Sequence, residues 1–340
     1  MQSIIIAGPC AAESALQLTT IAEQISQQMY SIGQRLSFFR TGVWKPRSNP
    51  NSFKGMGEAA LPVLSQIQQQ YGMPVCVEVM NACQVELCER HDIRAVWIGA
   101  RTAVNPVEVQ QLADALRHKP FTVMVKNPIV PDLKLWAGNI ERFLQADVKQ
   151  VMAIHRGCPD SAENVYRNAP CWELAIDLKV QFPEMQILCD PSHLCGHTRH
   201  IAQIAQIALN YGLNGLMLEC HHNPQQALSD ATQQLTPAEL VQLLTHLNFT
   251  ADAPNHDLIK QRALLENIDT QLSELLDKRM QIIDKIAEIK NANQLPIVQP
   301  QQWQQVRNRY LKPNQDANYQ DFINKFLEIL HQASVKRQNQ

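Results

Sequence analysis

Short apolar or β-branched runs alternate with longer helical stretches throughout the first 248 residues, and this alternation constrains the fold more than any other feature. Strands that alternate with helices form parallel sheets, and eight such units in about 250 residues are typical of a closed (β/α)8 barrel. An open, doubly wound sheet is the alternative, but no GxGxxG sequence follows the first run. We therefore predict an α/β barrel with strands at residues 4–7, 36–40, 75–79, 94–98, 121–125, 150–154, 186–189 and 214–219.

The pattern changes after the predicted barrel domain, residues 1–248. Residues 249–257 lose the periodicity and are interpreted as a linker. Residues 258–290 contain no Gly or Pro and predict a helix about 50 Å long. Its heptad rows comprise Leu258, Leu265, Leu272, Arg279 and Ile286, and Ile268, Leu275, Ile282 and Ile289. Such a helix needs partners. With shorter helices at 301–311 and 319–336, residues 258–340 are predicted to be a small all-helical domain.

Charge and composition exclude several classes of protein. Thirty basic residues against 32 acidic ones leave no basic surface for nucleic acid or an anionic membrane. No apolar run approaches the roughly 20 residues of a membrane helix. The first ten residues lack the basic start of a signal peptide. Nine cysteines without a CxxC pair or regular spacing indicate free thiols in a reducing compartment, so we expect a cytoplasmic protein.

Charged and metal-binding residue types follow directly after the predicted strands. Barrel enzymes build their active sites at the carboxyl ends of the strands, whereas chance would scatter such residues over both ends. This distribution therefore indicates an enzyme. The residues concerned are Cys10, Lys45, Arg47, Glu78, Arg101, Lys126, His155, Arg156, His193 and Glu219.

Cations are numerous in this set, and Arg40 and Ser48 belong to the same loop as Lys45 and Arg47. A surface salt bridge is the ordinary explanation for any one of them. Converging cations repel one another unless an anion is bound, so together they predict an anionic, phosphorylated substrate. The six cations are Arg40, Lys45, Arg47, Arg101, Lys126 and Arg156.

Sulfur, nitrogen and oxygen donors are predicted to share the same rim. Cys10 follows the first strand, His193 the seventh and Glu219 closes the eighth, with Asp230 in the loop beyond. Such a mixed set differs from a closed structural zinc site and leaves room for a substrate beside a divalent metal. A metal there would polarise a carbonyl oxygen. For His193, Glu219 and Asp230, satisfied loop residues are the alternative.

Five short motifs in this order resemble those of 3-deoxy-D-arabino-heptulosonate-7-phosphate (DAHP) synthases, in the subtype related to 3-deoxy-octulosonate-8-phosphate (KDO8P) synthases. The resemblance covers nearly all of residues 1–248. The motifs are Gly8-Pro-Cys-Ala-Ala-Glu-Ser14, Lys45-Pro-Arg-Ser48, Ile98-Gly-Ala-Arg101, Asp190-Pro-Ser-His193, and Glu219 with Ala227-Leu-Ser-Asp230.

The resemblance implies that the barrel condenses phosphoenolpyruvate with erythrose 4-phosphate, the first step of the shikimate pathway. It makes Lys45 a general acid or proton shuttle. One divalent metal is implied, with manganese favoured over iron, cobalt or zinc, and its ligands are Cys10, His193, Glu219 and Asp230. The implied phosphoenolpyruvate site comprises Arg40, Lys45, Arg101, Lys126 and Arg156. The implied erythrose 4-phosphate site comprises Pro46, Arg47 and Ser48.

Three departures from the family pattern are visible. Ala11 and Ala12 stand where Ser-Val is usual, and Asn-Pro rather than Arg-Gly follows Lys126. The sequence begins at the first strand, without the N-terminal regulatory extension of many relatives. KDO8P synthases carry Lys-Ala-Asn-Arg-Ser in place of Lys-Pro-Arg-Ser, so the four-carbon sugar phosphate is favoured. A Schiff-base aldolase using Lys45 or Lys126 is the alternative chemistry.

Arg279 occupies a position in the apolar heptad row of the long helix. A charged residue at such a position indicates either a residue that sets the helix register or a ligand site. Lys290 lies on nearly the same face, roughly 17 Å away, whereas Arg262 is roughly 26 Å from Arg279 and faces elsewhere. Arg262 is therefore either a solvated residue or part of an antiparallel partner's site. Residues 258–340 resemble the all-helical chorismate mutases, which are dimers with interlocked long helices, so the resemblance implies a domain that dimerises through the long helix.

The second resemblance implies conversion of chorismate to prephenate. Its implied functional positions are Arg262 of the partner subunit, Arg279, Lys290, Ser334 and Gln338, of which Arg279, Lys290 and Gln338 are catalytic. Gln302-Trp303 replaces the usual Arg-Glu pair. The Glu of that pair hydrogen-bonds a substrate hydroxyl, so either mutase activity is reduced or the contact is supplied otherwise. A helical module that senses chorismate or prephenate without turning it over is the alternative. Feedback by prephenate on the barrel is compatible with either interpretation.

Overall fold

Eight parallel strands close into a barrel in the order in which they follow one another along the chain. The computed structural model describes residues 3–45, 51–159, 165–249, 256–310 and 316–338. Closure occurs between the first and last strands, with Ile4 opposite Gly215 and Gly8 opposite Glu219. The predicted barrel is confirmed, and the open sheet is excluded. The strands are β1 (Ile4–Gly8), β2 (Phe38–Thr41), β3 (Val75–Val79), β4 (Ala95–Ile98), β5 (Thr122–Lys126), β6 (Gln150–His155), β7 (Gln186–Cys189) and β8 (Gly215–Glu219).

Nine α-helices of the described chain belong to the barrel, and polar caps define several of their starts. Side chains of Ser14, Asn81, Asn105 and Asp132 accept hydrogen bonds from the first turns of their helices, and Thr236 forms a capping box. The helices are α1 (Ala15–Ser31), α2 (Leu61–Tyr71), α3 (Ala82–Arg90), α4 (Pro106–Leu116), α5 (Leu133–Gln145), α6 (Trp172–Gln181), α7 (Pro191–Cys195), α8 (Ile201–Asn210) and α9 (Pro237–His246).

Alternation along the strands divides the apolar residues into two cores. One residue in two faces the helices and joins a large outer core that includes Phe39, Val77 and Phe143. The intervening residues fill the barrel interior, in a cluster of Ile6, Cys76, Ala95, Trp97, Met124, Met152, Ile154, Leu188 and Met217. The polar residues at the carboxyl ends of the strands lie directly above this inner cluster.

Gly8 allows the end of β1 to approach β2 closely. Its φ is +150°, and a Cβ at this position would collide with the Arg40 carbonyl. Any side chain would push the two strands apart. The glycine therefore brings the loop that follows β1, which carries Cys10, next to Arg40.

Three helices form the C-terminal part of the chain: α10 (His256–Ala292), α11 (Pro300–Tyr310) and α12 (Ala317–Gln338). The predicted helices agree with these, and the long one extends to 37 residues. Pro300 begins α11, where its missing N–H has no cost. The chain divides into two compact units, 1–265 and 266–340. Residues 250–255 of the predicted linker lie outside the described residues, and the exact domain boundaries stay a prediction.

The apolar heptad residues of α10 are largely exposed within one chain. Leu265, Ile268, Leu275, Ile282 and Ile289 are 58–62% exposed. Exposure of a continuous apolar stripe is unusual for a lone helix and is typical of an interface. Among the described residues, no helix has both the length and the apolarity needed to span a lipid bilayer.

Candidate active site

Cys10, Glu219 and Asp230 meet at the carboxyl end of the barrel, although they come from opposite ends of the domain sequence. Their ligand-type atoms all lie within 4.8 Å of one another, and Cys10 Sγ is 3.1 Å from Asp230 Oδ2. Cys10 and Glu219 are fully buried. Burial and the nearby Glu219 raise the pKa of the Cys10 thiol to about 12. Two neighbouring carboxylates, one of them fully buried, are electrostatically unfavourable unless positive charge lies close to them.

His193 lies beside this cluster, at the start of the short helix α7. Its Nε2 is 3.6 Å from Glu219 Oε1, and its Nδ1 is 2.9 Å from Asp190 Oδ2. Asp190 caps α7 by accepting a hydrogen bond from the His193 amide. Burial alone would raise the pKa of Asp190, but His193 and Lys126 outweigh it and hold the pKa well below its usual value. Asp190 therefore stays ionised beside the imidazole, in a charge contact and not a hydrogen bond, because His193 Nδ1 has no hydrogen-bond partner among the described residues.

A cavity of about 370 Å³ opens above these residues. All five cations assigned to phosphoenolpyruvate by resemblance line it, together with His193 and Asp230. A concentration of positive charge in one cavity favours a polyanionic ligand. The lining comprises Arg40, Lys45, Glu78, Trp97, Gly99, Ala100, Arg101, Lys126, Ile129, Arg156, Pro159, Arg167, Asn168, His193 and Asp230.

Arg40 connects the cavity to the acidic cluster. Its Nη2 donates to Glu219 Oε1 at 2.9 Å, and its guanidinium lies 5.1 Å from the centre of the Trp97 ring. Its Nε and Nη1 are buried and have no hydrogen-bond partner within the described part of the chain. Buried donors of this kind are costly unless a ligand accepts from them, which makes Arg40 suited to an anion.

Lys45 lies between the cavity and Cys10. Its Nζ donates to the Cys10 carbonyl at 2.8 Å and is 3.2 Å from Cys10 Sγ. Burial disfavours the charged amine, but the nearby Cys10, Glu78 and Glu219 outweigh burial and raise the pKa of Lys45. Lys45 is therefore an ammonium group at neutral pH and can donate a proton.

Lys126 and Arg156 are held by polar partners on the opposite side of the cavity. Lys126 Nζ donates to Asp190 Oδ2 at 2.6 Å. Arg156 Nη1 donates to Asn168 Oδ1 at 3.0 Å, and Asn168 Nδ2 donates to the His193 carbonyl at 2.6 Å. Both cations are thus fixed before any ligand arrives, which lowers the entropy cost of binding one.

Some residues of the site have no counterpart among the assignments made from sequence. Arg167 donates to Asp230 Oδ1 at 2.9 Å, and Gln233 donates to Glu219 Oε2 at 2.7 Å. Neither directly follows a strand, so the strand-end pattern could not reveal them. Trp97 and Asp190 continue the inward-facing rows of β4 and β7, which is a signal that strand parity could have supplied.

His155 is not part of the cavity, contrary to the expectation from its position after a strand. The ring is fully buried between Trp136 and Trp172, with centroids 6.2 and 5.3 Å away. Its Nε2 lies 2.6 Å from the Pro170 carbonyl. His155 faces the outer core because it alternates with the inward-facing Ile154.

The three residues predicted to hold erythrose 4-phosphate, Pro46, Arg47 and Ser48, lie outside the described residues.

In the C-terminal unit, Arg279 contacts the face of α12 on which Ser334 and Gln338 lie. Arg279 Nη1 donates to Ser334 Oγ at 2.7 Å, and Gln338 Nε2 lies 3.3 Å from the Ser334 carbonyl. Gln338 Oε1 is buried without a hydrogen-bond partner among the described residues. Lys290 Nζ donates to the Ile297 carbonyl at 2.6 Å. Arg262 is exposed and lies outside this unit.

Trp303, which stands where the family usually has Glu, stacks on His331 of α12. The ring centroids are 4.2 Å apart and the planes are inclined by 16°. His331 lies one helical turn before Ser334, on the same face of α12. The position that usually carries a carboxylate is therefore occupied by an aromatic pair at the edge of the Arg279 site.

Fold and site define a (β/α)8-barrel enzyme with a cationic active-site cavity, followed by a separate helical unit. Residues 1–253 match the DAHP synthetase I family. Residues 261–339 match chorismate mutase type II. The chain belongs to the DAHP synthetase I family and carries a chorismate mutase region fused to its barrel.

Individual relatives agree with this assignment. A phospho-2-dehydro-3-deoxyheptonate aldolase from Thermotoga maritima is 30% identical over 251 residues, covering 73% of this chain and 70% of the relative. A 2-dehydro-3-deoxyphosphooctonate aldolase from Wolinella succinogenes is 23% identical, covering 72% of this chain and 97% of the relative. The crystal structure of the phospho-2-dehydro-3-deoxyheptonate aldolase (DAHP synthase) from Thermotoga maritima superposes with a TM-score of 0.63 at 26% identity, covering 72% of this chain and 68% of that one.

Proposed function

We propose that the barrel joins phosphoenolpyruvate to erythrose 4-phosphate, giving DAHP and inorganic phosphate. The single observation that carries the proposal is the cavity in which five cations face the Cys10–Glu219–Asp230 cluster. Two phosphorylated substrates and a carboxylate need that excess of positive charge. The family to which the chain belongs supports the same reaction.

A divalent metal fits the donor set at the bottom of the cavity. The proposed ligands are Cys10, His193, Glu219 and Asp230, which offer one sulfur, one nitrogen and two carboxylates. Manganese is favoured, with iron, cobalt and zinc as alternatives. When bound, the metal would act as a Lewis acid toward the aldehyde oxygen of erythrose 4-phosphate.

The chain's own cations hold phosphoenolpyruvate in this proposal. Arg40, Lys126 and Arg156 are buried and preoriented, so they bind the carboxylate and phosphate in fixed positions. Lys45 and Arg101 complete the site. Pro46, Arg47 and Ser48, which follow Lys45 directly in the sequence, are proposed to hold erythrose 4-phosphate.

Lys45 is proposed to supply the proton that the condensation requires. C3 of phosphoenolpyruvate forms a bond to the aldehyde carbon, and the aldehyde oxygen gains negative charge. The raised pKa of Lys45 keeps the ammonium group protonated, so it can donate to that oxygen. Water then adds at C2, and phosphate leaves. The surrounding cations stabilise the negative charge throughout.

A Schiff-base mechanism is disfavoured by the same environment. A lysine that attacks a carbonyl needs a lowered pKa, whereas the pKa of Lys45 is raised and Lys126 is paired with Asp190 at 2.6 Å. Borohydride should trap no substrate on the enzyme, and a chelator should inactivate it. Trapping that persists after chelation would favour the Schiff-base alternative.

The choice of sugar phosphate separates this proposal from a KDO8P-like activity. Relatives named as phosphooctonate aldolases make an eight-carbon product, which requires a five-carbon sugar phosphate in place of erythrose 4-phosphate. We expect erythrose 4-phosphate to be used with a kcat/KM at least tenfold above that of a five-carbon sugar phosphate. The reverse preference would assign the barrel to the KDO8P-like class.

The helical region is proposed to convert chorismate to prephenate. Arg279 and the Arg262 of a second copy would hold the two carboxylates, while Lys290 and Gln338 would contact the ether oxygen. Ser334 orients Arg279 through the 2.7 Å hydrogen bond. The rearrangement forms no covalent intermediate with the enzyme, so electrostatics and restraint of the substrate suffice.

Prephenate is further proposed to act as a feedback inhibitor of the barrel through the helical region. The test compares condensation rates with and without prephenate, in the full chain and in a chain that ends at Asn248. Inhibition of the full chain alone is expected. Equal rates in all four conditions would contradict feedback and leave the two activities independent.

All nine cysteines are free thiols in the structure, which supports a reducing, cytoplasmic location.

A further inference from the structure

Two consecutive glutamines lie behind the Cys10–Glu219–Asp230 cluster, in the loop that follows β8. Gln233 and Gln234 are 1% and 2% exposed. Each side chain uses both ends of its amide in hydrogen bonds. Buried amides that are hydrogen-bonded through both the oxygen and the nitrogen are held in one orientation, so they can fix the geometry of their partners.

Gln233 connects the two carboxylates of the cluster. Its Nε2 donates to Glu219 Oε2 at 2.7 Å, and its Oε1 accepts from Arg167 Nη1 at 2.9 Å. The same Arg167 nitrogen donates to Asp230 Oδ1 at 2.9 Å. A carboxylate only accepts and a guanidinium only donates, so these two partners determine which way the amide points.

Gln234 restrains the backbone around the same cluster. Its Oε1 accepts from the Cys10 amide at 3.0 Å, and its Nε2 donates to the Ser229 carbonyl at 2.9 Å. It therefore joins the loop after β1 to the residue that precedes Asp230. The side-chain geometry of the carboxylates depends on Gln233, whereas Gln234 fixes the chain that carries the thiol.

We propose that Gln233 is a positioning residue that, with Arg167, holds Glu219 and Asp230 at the spacing a divalent metal requires. This inference rests on the metal site of the proposed function. Glu219 accepts on one oxygen from Arg40 and on the other from Gln233, so the carboxylate cannot rotate freely. Partners of this kind behind the ligands typically change metal affinity by about 10–100-fold when removed.

The test replaces Gln233 by side chains of similar size. Gln233→Glu puts a carboxylate oxygen against Glu219 in place of the N–H donor, and Gln233→Met removes both hydrogen bonds without adding charge. Gln242→Glu, on the exposed face of α9, adds the same charge away from the site. Far-UV circular dichroism and the thermal midpoint of each variant show whether the barrel is still folded, because mutase turnover belongs to the other unit and would not detect an unfolded barrel.

Cobalt(II) titration, followed by the thiolate-to-cobalt charge-transfer absorption, measures metal binding without relying on condensation activity. We expect the wild type and Gln242→Glu to bind alike, and both Gln233 variants to bind roughly 10–100-fold more weakly. Unchanged affinity and an unchanged absorption band in both Gln233 variants would overturn the inference. Absence of the band in the wild type would instead overturn the proposed metal site, and the inference with it.

Discussion

Arg40 and Glu219 form an ion pair inside the barrel, with Arg40 Nη2 2.9 Å from Glu219 Oε1 and both side chains shielded from solvent. Arg40 lies on β2 and Glu219 ends β8, so the pair reaches across β1, where Gly8 permits the close approach. One guanidinium thus contacts a proposed metal ligand while two of its nitrogens stay available for a substrate anion. The proposed metal site and the proposed anion site are therefore parts of a single electrostatic unit.

Replacing Arg40 tests this shared role. Arg40→Met leaves Glu219 without its charged partner, and breaking a buried pair costs about 3–5 kcal/mol. Arg40→Lys retains the charge but loses the planar fork of donors. We expect both variants to raise the KM for phosphoenolpyruvate at least tenfold. Only the Met variant should lose most of the about 3–5 kcal/mol of unfolding free energy. Steady-state kinetics and urea denaturation measure the two effects. A wild-type KM in both variants would contradict the role of Arg40 in binding.

His155 predicts a pH dependence of stability. Burial lowers the pKa of His155 to about 4 from 6.5, and its Nδ1 is buried without a hydrogen-bond partner among the described residues. The unfolded chain therefore binds a proton that the folded chain excludes as the pH falls. The contribution of neutral His155 to the free energy of unfolding is complete above pH 6.5, and it is lost as the pH falls from 6.5 to about 4.

His155→Phe isolates this contribution because phenylalanine does not titrate. Between pH 7.5 and pH 5, we expect the wild type to lose about 2 kcal/mol more unfolding free energy than the variant. Denaturant titrations at the two pH values give the difference. Identical losses in the two proteins would show that His155 does not exclude a proton.

Mixed dimers test whether Arg262 serves the site of a second copy. Arg262→Ala and Arg279→Ala should each abolish mutase turnover when studied alone. Half of randomly formed dimers are mixed and contain one intact site, so co-expression should restore about a quarter of the wild-type mutase rate. Condensation by the barrel should be unaffected in every sample. No recovery on mixing would place both arginines in the same copy's site or in none.

The exposed apolar stripe of α10 predicts that association depends on its heptad residues. Leu275→Lys and Ile282→Lys each place a charge in the proposed interface, which carries a large desolvation cost. Ser273→Lys adds the same charge at an exposed position outside both heptad rows and serves as the control. Sedimentation should show dimers or larger assemblies for the wild type and the control, and dissociation for the other two. Unchanged association of all variants would place the interface elsewhere.

The barrel and the long helix could be predicted from periodicity because each depends on a regular pattern of burial. The cationic cavity could be predicted because strand ends converge in a barrel. His155 was wrongly expected in the cavity because alternate residues of a strand face opposite sides. Ile154 faces inward, so its neighbour must face the helices. Arg40, Lys126 and Glu219 continue the inward-facing rows of their strands.

Arg167 and Gln233 could not be predicted in this way. Arg167 and Gln233 reach the cluster from irregular segments whose paths depend on tertiary contacts, and a glutamine has no distinctive pattern in a sequence. Their importance is visible only in the hydrogen bonds to Asp230 and Glu219. The replacement of Glu by Trp303 could be noted from resemblance, but its stacking on His331 required the structure.

Analysis of the products formed from the two proposed substrates is the strongest test of the condensation proposed for the barrel. The full chain is incubated with phosphoenolpyruvate and erythrose 4-phosphate, before and after chelation, and both DAHP and phosphate are quantified. We expect equal amounts of the two products, loss of both after chelation and recovery on adding a divalent metal. Formation of phosphate without DAHP, or full activity after complete metal removal, would contradict a metal-dependent condensation in the barrel.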